Sequence, residues 1–158
     1  NFMTRVYAYS AWQALLKQGV TRRSLTEFHA CYKYQLMAHH PVQYKTLGNL
    51  LGSLGKQDPR AIAPQYFSEL MKALKKCATR RTHTNVLQHI SGYLKQSISP
   101  EDKQEVQQLI GQYLHGIVPL VVPLTLLKHH FRLHPDPYIS RQVYLQPHPE
   151  NLSLRNAI

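Results

Sequence analysis

Acidic residues are scarce in this chain: 8 Asp and Glu stand against 19 Lys and Arg in 158 residues, a formal charge of +11. Cysteine is nearly absent, with only Cys31 and Cys77. Two thiols without CxxC spacing argue against a disulfide framework, an iron–sulfur site or a zinc ribbon, and fit a reducing cytoplasm. Long apolar runs are missing as well. The longest strongly apolar stretch, Gly116–Leu127, contains Pro119 and Pro123 and falls far short of a membrane span. The start of the sequence carries no signal-peptide pattern. The glycines of Leu47–Gly55 lack the lysine–serine ending of a phosphate loop. No HExxH occurs, and His130 and His134, four apart, are interrupted by Pro135. The expectation is a cytoplasmic protein with no membrane partner, no cofactor and no metal site.

What is present is basic and unevenly placed. Residues 1–57 hold one acid, Glu27, and residues 58–98 hold two, Asp58 and Glu69, with seven basic residues in each segment. The remainder is balanced, five against five. From Leu70 to Pro100 there are six basic residues and no acid: Lys72, Lys75, Lys76, Arg80, Arg81 and Lys95. Such a concentration raises the local density of polyanions. Ten histidines and ten tyrosines supply much of the remaining polarity, and such side chains hydrogen-bond and stack as an RNA-contacting surface requires.

The patterning reads as helical throughout, and a single compact all-α bundle of about seven helices over residues 1–158 is expected. Tyr7–Gln18 is a short amphipathic helix closed by Gly19. Ser24-Leu-Thr-Glu27 has the form of a capping box for a second helix ending near His39. Pro41 suits the first turn of the third, and Pro64 that of the fourth. The fourth buries Tyr66, Phe67, Leu70, Met71 and Leu74 and spreads Lys72, Lys75, Lys76 and Arg80 over its other face and exit. Thr84–Gln96 forms a fifth, with Val86, Leu87, Ile90, Tyr93 and Leu94 inward and Asn85, Gln88, His89, Gly92 and Lys95 as a polar strip. Ser99 caps a sixth, stopped by Gly116. Pro123–Leu133 and Tyr138–Leu145 complete the set, before a tail packed on the body. Helical spacing sets Tyr32 and Tyr34 on different faces, so the two are not both expected in the core, and Tyr34 either offers a ring for base stacking or packs against a neighbouring helix with its hydroxyl satisfied.

Four ordered segments carry a resemblance. They are Phe28-His-Ala-Cys-Tyr-Lys-Tyr-Gln-Leu-Met-Ala-His39, His83-Thr-Asn-Val-Leu-Gln-His-Ile-Ser-Gly-Tyr-Leu-Lys95, Val118-Pro-Leu-Val-Val-Pro-Leu-Thr-Leu-Leu-Lys-His129, and Tyr144-Leu-Gln-Pro-His-Pro149 with Leu154-Arg-Asn156. Together they resemble the YbgA family, a domain of unknown function, over nearly the whole chain. Domains of this kind resemble the C-terminal part of RudS-type desulfidases, which remove sulfur from 4-thiouridine in transfer RNA. The resemblance implies an accessory RNA-binding role in thionucleoside metabolism, with transfer RNA and a thiouracil-desulfurase-like protein as partners. It does not carry sulfur chemistry, because this chain has no desulfurase segment and no cysteine cluster.

The residues expected to contact RNA are Lys72, Lys75, Lys76, Arg80 and Arg81 for phosphates, then His83, Asn85, His89 and Lys95, then Lys33 and Lys128. Cations of this kind gain affinity by releasing counterions, so binding should weaken with salt. Two other readings fit the same residues. One is a small enzyme whose pocket gathers His29, Lys33, His83, Asn85, His89, Lys128 and His129, since histidine titrates near neutral pH. The other is an adaptor that docks a protein through apolar surface. Arg155 and Asn156 are expected to clamp backbone carbonyls in the tail.

Overall fold

A computed structural model of the chain describes residues 2–146, and among these no strand occurs. The eight helices are α1 (Phe2–Gln18), α2 (Arg22–His39), α3 (Pro41–Gly52), α4 (Pro59–Lys75), α5 (Arg80–Ser91), α6 (Pro100–Leu114), α7 (Val121–Leu133) and α8 (Pro137–Ser140), with one 3-10 turn at Gly92–Leu94. They fall into two compact units. Residues up to Ala78, together with the segment from Gln142, form one; Thr79–Arg141 form the other.

In the first unit α2 and α4 pack on each other, α3 packs on both, and α1 lies on α4. The core is aromatic. Trp12 stacks on Phe67 at 4.7 Å between ring centroids and meets Phe28 edge-on at 5.4 Å. Leu25, Leu36, Leu47, Tyr66, Leu70 and Leu74 close around them. The chain returns to this unit after α8: Gln142 Nε2 donates to the Ala30 carbonyl, and the Val143 amide to that of Cys31. In the second unit α6 packs on α5 and α7. It buries Val86, Leu87, Ile90, Ile110, Tyr113, Leu124 and Leu127.

Several boundaries differ from the sequence expectation, each for a physical reason. α1 starts at Phe2 rather than Tyr7, because Thr4, Ala8 and Trp12 extend the buried stripe one turn back. The capping box before α2 is Thr21 with Ser24, not Ser24 with Glu27: Thr21 Oγ1 accepts from the Ser24 amide, and Ser24 Oγ from the Thr21 amide. Glu27 pairs with Arg23 instead. α4 opens at Pro59 behind the cap of Asp58, so Pro64 lies inside the helix rather than at its start. α5 begins at Arg80 behind a Thr79–Thr82 box, four residues before the expected Thr84. α7 starts at Val121, not Pro123, and the last helix is one turn, Pro137–Ser140, instead of Tyr138–Leu145.

The other stops stand where the sequence puts them. Gly19 and Gly116 take positive φ, 102° and 75°, a backbone conformation open to glycine and strained for other residues. Ser99 caps α6. The tail residues Arg155 and Asn156 lie outside the described residues.

Candidate nucleic-acid interface

The acid-free stretch runs through two helices rather than along one. Lys72 and Lys75 occupy the last turn of α4, and Lys76 is its C-cap. Arg80 and Arg81 start α5 after a three-residue passage. The expectation that Lys72–Arg80 share one helix and its exit is therefore corrected: a helix boundary, set by the extended Lys76 and the Thr79 cap, divides them.

The end of α4 is anchored from below. His39 on α2 is buried, and its Nδ1 lies 2.6 Å from the Lys76 carbonyl. A carbonyl only accepts, so Nδ1 carries the proton and Nε2 is left to accept from Gln35 Nε2 at 3.1 Å. One of the carbonyls that a helix end leaves without a helical partner is thus satisfied by a side chain. Of the cations above it, Lys72 is bound to Glu69 at 2.7 Å, and Lys76 is exposed.

α5 departs from helix electrostatics. Its first turn has two arginines and no acid, as the first turn of α2 has Arg22 and Arg23, whereas α6 starts with Glu101 and Asp102. Cations at the positive end of a helix dipole are unfavourable. Arg80 is partly occupied: its guanidinium lies over the Tyr113 ring, 5.2 Å from the centroid, and donates to the Tyr113 carbonyl at 3.1 Å. Burial raises the Tyr113 hydroxyl pKa and the Arg80 charge lowers it. Arg81 is exposed.

Behind Arg81 the exposed face of α5 continues through Asn85, Gln88 and His89, spaced four, seven and eight residues on, one helical face. Beyond α5, Tyr93 is 41% exposed and Lys95 is exposed. Tyr93 was expected inward by its spacing. The 3-10 turn at Gly92 rotates it outward, where its ring stacks on Tyr138 at 5.9 Å and 21°.

His83 lies on the other side of α5, buried at 5%. Asn85 and His89 on α5 and Lys128 and His129 on α7 are exposed, so within this unit the proposed pocket residues do not share one enclosed set. His129 Nδ1 lies 3.3 Å from an Arg132 guanidinium nitrogen. Both line an open groove of about 500 Å³ along α7, with Val121, Val122, Thr125 and Leu126.

In the first unit, His29 and Lys33 are half-buried, and Lys33 Nζ sits 5.1 Å from the Tyr34 ring centroid. Tyr34 is 1% exposed and Tyr32 3%, so both are core and Tyr34 offers no stacking platform. Tyr32 belongs to the aromatic core of this unit, and Tyr34, on another face of α2, is buried as well. His29 Nδ1 shares a hydrogen bond with the Tyr66 hydroxyl at 3.0 Å, and its ring lies flat on Tyr44 at 5.2 Å. Burial pushes its pKa down to about 4. This neutral, ring-enclosed histidine is suited to holding α2, α3 and α4 together. Among the described residues no group of three His, Cys, Asp or Glu is placed to hold a metal ion. None of the described helices is long and apolar enough to cross a membrane.

Sequence reasoning missed three parts of this surface: the His39 anchor, the exposed ring of Tyr93 and the internal use of Arg80. The signal for His39 was its place in the first signature. Nothing local in sequence marks a ring turned outward by a 3-10 turn.

The comparisons with known proteins agree with one another. The family described as "Protein of unknown function (DUF1722)" matches residues 33–149. The chain is 32% identical over 156 residues to the "Uncharacterized protein YbgA" of Escherichia coli (strain K12), covering 98% of this chain and 92% of that protein. No solved structure matches.

Proposed function

For a chain that belongs to the YbgA (DUF1722) family, we propose RNA binding, transfer RNA above all, through the acid-free stretch and chiefly through α5. The observation that carries this is the start of α5. Two arginines stand where the helix dipole disfavours them, and an anionic ligand reverses that cost by pairing with arginine and helix end together. Arg80 is compensated in part by Tyr113, whereas Arg81 is exposed, and a local rule broken in this way is expected at functional sites. Arg81, with Lys95 beyond the helix, supplies phosphate contacts. Lys75 and Lys76 at the end of α4, with Lys33 as a secondary residue, are proposed contacts of the first unit, and Lys128 is a secondary contact of the second. We place the protein in thionucleoside metabolism, as the RNA-holding partner of a thiouracil-desulfurase-like protein. The four signature segments support that role, and the chain brings no sulfur chemistry of its own.

The test is an electrophoretic shift with total transfer RNA across a salt series. The wild-type chain should shift the RNA, less so as salt rises. Charge reversal at Lys76, Arg81 and Lys95 should abolish the shift with the melting temperature held or raised. Arg80 is left intact, because its reversal would also break the Tyr113 contact. An unchanged shift in the triple variant would sink the assignment.

A further inference from the structure

The exposed face of α5 carries more than charge, and resting on the RNA-binding reading above, we infer that it reads unpaired bases. Arg81, Asn85, Gln88 and His89 form one face, all exposed, and the ring of Tyr93, 41% exposed and stacked on Tyr138 on one side, follows. From Arg81 to Tyr93 the stripe runs roughly 18 Å at 1.5 Å per residue. Asn and Gln amides carry a donor and an acceptor side by side and pair with base edges. An exposed aromatic ring is a stacking platform that accepts any base.

The geometry favours a single strand over a duplex. The deep major groove of A-form RNA is too narrow for side chains to read, and its shallow minor groove presents mostly ribose hydroxyls. A helix is about 10 Å across and cannot enter that groove. A stripe of amides ending in a ring can be used fully only where bases are splayed out, as in a loop or a single-stranded end. Charge complementarity selects the ligand class: from Leu70 to Pro100 the chain has no acid to repel a phosphate. Tyr93 acts as the platform, Asn85, Gln88 and His89 as the edge readers, and Arg81 and Lys95 as the phosphate contacts at the two ends.

The experiment measures fluorescence anisotropy with a labelled 12-nucleotide oligouridylate, its oligoadenylate counterpart and a 12-base-pair RNA duplex. The wild-type chain should bind the single strands about tenfold more tightly than the duplex. Tyr93→Leu should lose that preference while its duplex affinity and salt dependence stay as they were. Tyr93→Phe, which keeps the ring, should retain it. Asn85→Ala with Gln88→Ala should weaken binding to both single strands several-fold and leave duplex affinity as it was. Single-strand affinity unchanged in Tyr93→Leu would overturn the base-reading inference and leave RNA binding standing. Failure of the wild-type chain to bind any of the three RNAs would overturn both.

Discussion

His29 shows how a side chain that reads as a candidate catalyst in sequence becomes something else in its surroundings. It lies flat on Tyr44, bonds to Tyr66 and titrates near 4, whereas an unfolded histidine titrates near 6.5. The folded state resists its protonation. This contribution to stability is full above about pH 6.5, falls as the pH drops toward 4, and levels off below, by up to about 1.4 kcal/mol per pH unit in that window. Thermal melts of His29→Gln, which keeps a partner for the Tyr66 hydroxyl but does not titrate, should show a flatter pH dependence between 4 and 6.5. Tyr66→Phe leaves His29 Nδ1 without that partner and should cost about 1 kcal/mol by urea denaturation. Single residues were the least legible part of the site in sequence. Tyr34 and Tyr93 exchanged roles, one going into the core and the other to the surface, and for Tyr93 the cause is the 3-10 turn it sits in, which breaks the helical spacing that placed it inward.

At the scale of the helix, α5 sets stability against binding. Arg81→Glu places an acid in the first turn, where the dipole favours it, and should raise stability by about 0.3–1 kcal/mol. The same change should weaken RNA binding several-fold. A melting curve and an anisotropy titration on one variant check both directions, and a parallel fall of the two would count against the α5 reading. Thr79→Ala removes the cap that fixes where the helix starts and should cost about 1 kcal/mol. Helix number and order were readable from periodicity, and so were the stops at Gly19 and Gly116. The starts were not. Pro64 looked like a first-turn residue because proline is most at home there. In the structure Asp58 and Pro59 start the helix a turn and a half earlier, and α4 carries Pro64 in its interior. The shifted start of α5 made one basic helix out of parts of two.

Across the whole molecule, charge is the property sequence gave most directly, although it did not divide it. The first unit holds eleven basic and three acidic residues, a net +8, and the second is near +3. Affinity for single-stranded RNA should therefore fall steeply with salt, with a log–log slope of about 0.7 per phosphate neutralised, and removal of Lys76, Arg81 and Lys95 together should reduce it by about two. Titrations between 50 and 200 mM salt would show this, and a slope that does not move would remove those residues from the interface. The division into units has a further consequence, in the order of synthesis. The first unit is not continuous in the chain: Gln142 and Val143, which bond to α2, are made only after all of α5 to α8. At 5–20 residues per second, α1 to α4 spend roughly 3–13 s outside or within the ribosome before their last piece exists. During that interval α1 to α4 stand without the segment that later bonds to the Ala30 and Cys31 carbonyls of α2.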